Sequence, residues 1–224
     1  MVDYKIKTYE EAIQVIDELG LLPLASLVPG YPSLNSITLE ENWHSDTEFD
    51  PWIWRTKFSS DGIAGYGKFI KKKSILVSPK LLPYLKIILG SDESIEDRYL
   101  SGNVSREAYS LYKIIVQEEG IDTRALRSKA GLKEKEKKKL FENALIDLQG
   151  TMDIVISGIQ EKKNENGETN GWSSTAFETY DSWTSRNKIA SMDINREDAK
   201  KYILAHFSNV SNNETLNKFE KIFR

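Results

Sequence analysis

Two stretches of this chain carry residue types that could do chemistry. The first is residues 124–139, where Arg124, Arg127, Lys129, Lys133, Lys135, Lys137, Lys138 and Lys139 oppose only Glu134 and Glu136, a local net charge of +6. Placed at the second and third helices of a helix-turn-helix, such side chains would cross a phosphate backbone and enter the major groove. Lysines supply an attraction that is independent of base sequence and weakened by salt, so none of them specifies a base. Lys162 and Lys163 would add contacts at the root of a following hairpin. Residues 103–180 as a whole hold 12 basic and 13 acidic side chains, so the positive charge is local. Nucleic-acid contact and a merely solvated helix start are the two readings it leaves.

The second stretch is aromatic: Trp43 and His44, then Asp50-Pro51-Trp52-Ile53-Trp54-Arg55, with three of the five tryptophans inside twelve residues. Tryptophan buries a large apolar area, which makes this cluster a candidate core or inter-domain anchor. The sharper reading is a stacking cleft for a nucleobase formed by Trp43, Trp52 and Trp54, with Arg55 and His44 beside it. Asp46, Glu48 and Asp50 lie close to His44 in sequence. An acid/base pair there is one use for them; an N-cap plus solvated loop charges is the plainer one. No phosphate-cradling glycine loop and no Gly-x-Ser-x-Gly elbow occurs, and Gly65 and Gly67 alone are a weak signal.

The elements that must position these groups can be read from periodicity. In residues 105–119, Ala108, Leu111, Tyr112, Ile115 and Val116 mark one helix face, closed by Gly120. Thr123 is a candidate cap for a short helix over 124–130, ended by Gly131. A third helix is predicted over 133–149 on Leu140, Phe141, Ala144, Leu145 and Leu148. Residues 151–159 switch to a period of two, with Met152, Ile154 and Ile156 on one face. A polar connection over 160–171 and a return strand over 172–180 complete the order of a winged-helix module.

Upstream, Thr8 and Glu11 form a capping-box pattern before a helix buried through Tyr9, Ala12, Ile13, Ile16 and Leu19. Residues 21–37, with Pro23, Pro29, Gly30 and Pro32, are predicted irregular, and 38–43 to add a helical turn. Asp50 as cap and Pro51 as first residue start a helix over 52–58. Residues 64–70 and 74–77 form a hairpin around Lys71, Lys72 and Lys73. Ser78 and Pro79 start a helix buried by Leu81, Leu82, Leu85, Ile88 and Leu89, and a short helix falls within 92–100. Downstream, 184–194 is a polar connection. Asn195 then caps a helix with Ala199, Tyr202, Ile203 and His206 on one face, and a last helix over 213–223 carries Leu216, Phe219 and Phe223.

The fold class expected is α+β, predominantly helical, with a winged-helix module and a small N-terminal β-hairpin. Three segments follow: an aromatic-rich region 1–102, the winged-helix module 103–183 and a helical extension 184–224. At 224 residues with 39% hydrophobic and 29% charged side chains, an ample core is available. No apolar run is long enough for a membrane span, and the N-terminus has no apolar signal region, so a cytoplasmic location is expected. With no cysteine and only His44 and His206, neither disulfides nor a structural zinc site is expected, and no cofactor is indicated. The net charge of −3 argues against bulk coating of nucleic acid and leaves a local basic site open.

Trp43 and His44, the 50–55 run, Ala64-Gly-Tyr-Gly-Lys68 and Gly171-Trp172-Ser173-Ser174 together resemble bacterial proteins of the AlkZ-related family. These are similar in turn to the AlkZ/YcaQ winged-helix DNA glycosylases, which excise alkylated bases and unhook interstrand crosslinks. The resemblance implies the scaffold and a role with DNA. It also marks a departure. The glycosylases carry their chemistry on a Gln-x-Asp or Gln-x-Gln motif, and none of Gln14, Gln117, Gln149 and Gln160 forms one. The ungapped counterpart is Ser33 with Asn35, and neither replaces a carboxylate that orients water or stabilises an oxocarbenium-like sugar. The resulting expectation is a noncatalytic or diverged DNA-binding relative. Its alternatives are an active glycosylase with a displaced carboxylate, Asp46 or Asp50, and a winged-helix module that binds protein.

Overall fold

A computed structural model of the chain describes residues 4–161 and 173–223. It is an α+β structure with, among the described residues, eleven α-helices and a six-stranded antiparallel sheet. The first helix, α1 (Tyr9–Leu19), starts as its capping box requires. The Thr8 hydroxyl accepts from the Glu11 amide, and the Glu11 carboxylate accepts from the Thr8 amide. Gly20 ends it at φ 72, where an added Cβ would lie 2.3 Å from Leu81 Cδ1, so only glycine fits the turn into the sheet. Residues 21–37 are more ordered than predicted. Leu21–Pro23 is a strand, β1, at the sheet edge, where a proline is tolerated. Leu34–Ile37 is a one-turn helix, α2, followed by a 3-10 turn at Glu40–Asn42.

Helix α3 (Pro51–Ser60) begins at the Asp50 cap, as its sequence predicts. Strands β2 (Gly65–Ile70) and β3 (Lys73–Val77) form the predicted hairpin, its turn made by Lys71 and Lys72 at φ 50 and 59. Helix α4 (Leu82–Leu89) starts later than Ser78 and Pro79 suggested, because the Ser78 carbonyl is taken by a turn to the amides of Leu81 and Leu82. Helix α5 (Ile95–Leu100) is capped by Ser94.

Downstream come α6 (Arg106–Gln117), β4 (Ile121–Asp122), α7 (Thr123–Lys129) and α8 (Lys138–Gly150). The cap of α7 is Asp122 and not Thr123: its carboxylate accepts from the amides of Arg124 and Ala125. The third predicted helix is shortened at its start to a 3-10 turn, Lys135–Lys137. Strands β5 (Ile154–Gln160) and β6 (Ser174–Thr179) then pair, and β4 lies on the far side of β6. The chain next forms α9 (Tyr180–Arg186), which runs from the last residue of the predicted strand into the start of the predicted polar connection, because Thr179 caps it by accepting from the Ser182 amide. Helices α10 (Arg196–Val210) and α11 (Asn213–Ile222) close the chain, capped by Asn195 and Asn212.

The sheet runs β1-β3-β2-β5-β6-β4. The two hairpins, separate in the sequence pattern, are joined edge to edge where Tyr66 of β2 faces Ile156 of β5. The alternation seen in 151–159 therefore does not leave a wet face. Ile154 to Gly158 are all buried, since α3 and α8 both pack on β5. Between α10, α11 and the N-terminal region sits Tyr31, whose hydroxyl donates to the carbonyls of Leu19 and Leu21. Its ring meets Phe207 and Phe219 edge-on. The buried face of α10 is Ala199, Ile203 and Phe207; the predicted Tyr202 is instead half exposed and stacked on Tyr84 at 3.9 Å. Among the described residues no helix is long and apolar enough to cross a membrane, and no group of acidic or histidine side chains is arranged to hold a metal.

Candidate functional site

Residues two apart on a helix point to opposite sides, so Trp52 and Trp54 cannot share one environment. Trp54 takes the core: it is 2% exposed, and its Nε1 donates to the Glu48 carbonyl at 2.7 Å. Trp52 is 43% exposed. It lines a cleft of about 540 Å³ together with Asn35, Glu40, Trp43 and His44. The aromatic cluster thus divides, with one anchor and one open pair. Trp43 is held by its Nε1 donating to Thr38 Oγ1 at 2.9 Å. The Arg55 guanidinium carbon lies 3.5 Å from the Trp52 ring centre, and the His44 ring 4.8 Å from it. Burial pulls the Arg55 pKa below its ordinary value against the opposing pull of Tyr66 and Asp50, and arginine stays a cation over the whole working range.

The loop that carries His44 is unusual in its backbone. His44 and Asp46 sit at φ 61 and 55, a region that non-glycine residues rarely occupy. Asp50 holds them there. Its Oδ1 accepts from the amides of His44 at 3.0 Å and Trp52 at 2.8 Å, and its Oδ2 from Asp46 at 3.2 Å. A fully buried carboxylate bonded to three amides is a structural cap for both loop and helix, and it is not among the residues that line the cleft. Asp50→Ala is expected to cost about 2 kcal/mol, which at this chain length lowers the melting temperature by roughly 4–8 °C. An unchanged melting temperature in a thermal scan would show that the three amides do not need it. Asp46 is exposed and lies outside the cleft lining.

Of the pair Ser33 and Asn35, only Asn35 reaches the cleft. Ser33 is buried at the start of α2, where its amide donates to Ser36 Oγ. The acidic group that the cleft does contain is Glu40, which no sequence motif singles out. Its only signal is its place in the short helical turn between Asn35 and Trp43.

The basic segment keeps part of its charge for solvent. Arg127 is turned inward: its Nε donates to the Leu132 carbonyl at 2.6 Å and its Nη2 to that of Glu134 at 2.8 Å. Lys129 pairs with Glu118, Lys137 with Glu134 at 2.8 Å, and Arg124 with Asp122 at 3.5 Å. Lys138 is paired with Glu142 at 3.6 Å and stays 63% exposed, so that pair contributes little. Lys133, Lys135 and Lys139 are exposed and have no ion pair among the described residues. The cations most open to solvent are therefore four of the eight, Lys133, Lys135, Lys138 and Lys139, grouped between α7 and the first turn of α8. Lys162 and Lys163, together with Gly171 and Trp172, lie outside the described residues.

A family model described as AlkZ related matches residues 6–224. No curated protein and no solved structure matches the chain.

Proposed function

The chain belongs to the AlkZ-related family, and on that premise we propose that it binds DNA as a noncatalytic or diverged relative of the AlkZ DNA glycosylases. The observation that carries the reading is the cleft in which Asn35, Trp43, His44 and Trp52 meet. A half-exposed indole in a concave site is a surface on which any base can stack. The counterpart position of the missing catalytic motif, Asn35, faces the same space. A site that keeps the stacking residues and lacks the catalytic pair suits recognition better than cleavage.

In this reading residues 103–183 act as a winged-helix module, with α6, β4, α7, α8, β5 and β6 in the order such modules use. Lys133, Lys135, Lys138 and Lys139 hold phosphates. Residues 1–102 supply the aromatic cleft, and 184–224 pack back on α1 and α4. A cytoplasmic location and a part in DNA repair go with this function. Trp52→Ala is the direct test, because an exposed side chain can be removed without opening the core. It is expected to weaken binding of an oligonucleotide by about 1–3 kcal/mol while leaving the thermal transition in place. Equal affinity of variant and parent would remove the cleft from the interface.

A second reading has one observation in its favour, the Glu40 carboxylate inside the cleft. There it could stand in for the absent catalytic acid and steady an oxocarbenium-like sugar as the base departs. Release of an alkylated base by the parent chain, abolished in Glu40→Gln with DNA binding kept, is the result that would establish it.

A further inference from the structure

Arg98, Arg124, Arg127, Arg186 and Arg196 each donate to, or pair with, a carboxylate or a carbonyl of the fold. Arg55 does not. Half-buried on α3, it makes no hydrogen bond and no ion pair among the described residues. What it touches is the Trp52 ring, with the guanidinium carbon 3.5 Å from the ring centre. At that separation the guanidinium must lie nearly flat on the indole, because an edge-on approach would push its nitrogens inside van der Waals contact. Its N–H donors lie in its own plane and therefore point outward, past the rim of the indole. The carboxylate whose field acts on Arg55 is that of Asp50, and Asp50 is already occupied by the amides of His44, Asp46 and Trp52.

A cation that gives up part of its hydration and takes no anionic partner within the fold is available to one outside it. Its planar fork matches two oxygens of a phosphate. The cleft beside it has the opposite bias. Among the described residues its lining holds neither lysine nor arginine, and its acidic member is Glu40. An uncharged ring can enter next to Glu40, whereas a phosphate is repelled there. Arg55 is not a lining residue, so the cleft looks onto the part of Trp52 that the guanidinium leaves bare. The charges thus set a direction across the indole, with a ring on the Glu40 side and an anion on the Arg55 side.

We propose that Arg55 is a phosphate-binding residue, which from its seat on Trp52 holds the backbone phosphate beside the base taken into the cleft. The proposal rests on the nucleic-acid reading above and adds where the backbone runs. The test is fluorescence anisotropy of a labelled duplex oligonucleotide with the full chain, repeated between about 50 and 200 mM salt. Parent, Arg55→Gln, Arg55→Lys and Lys72→Gln are compared. Arg55→Gln is expected to weaken binding by about tenfold. It is also expected to lower the slope of log affinity against log salt by about 1, the amount for one phosphate no longer neutralised. Arg55→Lys keeps the charge, so it is expected to keep the slope and to lose part of the affinity with the fork. Lys72 is an exposed lysine of the β2–β3 turn, and its variant measures what the loss of any nearby charge costs; it is expected to match the parent. Should Arg55→Gln lose its thermal transition, Arg55→Met, which keeps an apolar stem against the indole, takes its place. An unchanged slope in the charge-free variant, with or without a loss of affinity, makes Arg55 no more than a support for Trp52 and overturns the proposal. An equal fall in slope for Lys72→Gln overturns it too. Either result leaves the DNA reading standing, because the parent still binds. Absence of binding by the parent at the lowest salt overturns the reading on which the proposal rests.

Discussion

Asp153→Ala is expected to destabilise the protein by about 3–5 kcal/mol and to lower its melting temperature by roughly 10 °C. Asp153 follows Met152, which turns the chain at φ 53 just before β5. Its carboxylate accepts from Arg98 Nη2 at 2.7 Å and from Thr151 Oγ1 at 2.5 Å, and lies 3.8 Å from Lys86 Nζ. Arg98 and Asp153 have side chains 8% and 10% exposed, so the pair is largely withdrawn from water. Arg98 Nε has no partner in this enclosure, which leaves its charge dependent on the carboxylate. Lys86 also donates to the carbonyls of Thr151 and Met152, and burial pushes its pKa below the ordinary range against the pull of Asp153. Deleting the carboxylate strands two cations in a poorly hydrated site. The pair itself need not be strongly stabilising. Asp153→Ala combined with Arg98→Met is therefore expected to recover much of the loss. A melting temperature within about 1 °C of the parent in Asp153→Ala would show that water already screens the site.

The second large effect concerns affinity. Changing Lys133, Lys135, Lys138 and Lys139 together to Gln is expected to weaken DNA binding by on the order of a hundredfold at moderate salt. The slope of log affinity against log salt should fall by about 3 to 4, near one unit for each phosphate that is no longer neutralised. The four are exposed, so folding should be unaffected. The same change at Lys200, Lys201, Lys218 and Lys221 of α10 and α11 controls for net charge. Loss of affinity in both sets alike would assign the effect to overall charge and not to a face.

Local signals in the sequence are legible where one or two side chains decide the backbone. Thr8 with Glu11, Asp50 with Pro51, and Asn195 all start helices where their hydrogen-bonding groups meet free amides. The hairpin around Lys71 and Lys72 follows from two short runs rich in apolar residues on either side of a lysine turn. Non-local pairing is not legible. β1 and β4 have three and two residues, too few to show a period, and exist only because a longer strand lies beside each. The joining of the two hairpins through Tyr66 and Ile156 depends on α3 and α8 covering both faces of β5, which no pattern within 151–159 encodes. The candidate site is legible as a cluster of residue types and not as a cavity. The opposite facing of Trp52 and Trp54 could have been inferred from their spacing in a helix. The approach of Asn35 and Glu40 to His44 depends on the turn held by Asp50, whose three amide partners include one six positions away. The partnering of Arg127 and Lys137 cannot be seen in a count of charges.

The most direct test of nucleic-acid recognition is equilibrium binding of a labelled oligonucleotide to the parent chain between about 50 and 200 mM salt, with Trp52→Ala alongside. The expected result is affinity that falls steeply with salt and drops further, at every salt concentration, when Trp52 is removed. Affinity absent even at the lowest salt, or present but indifferent to both salt and Trp52, would contradict it.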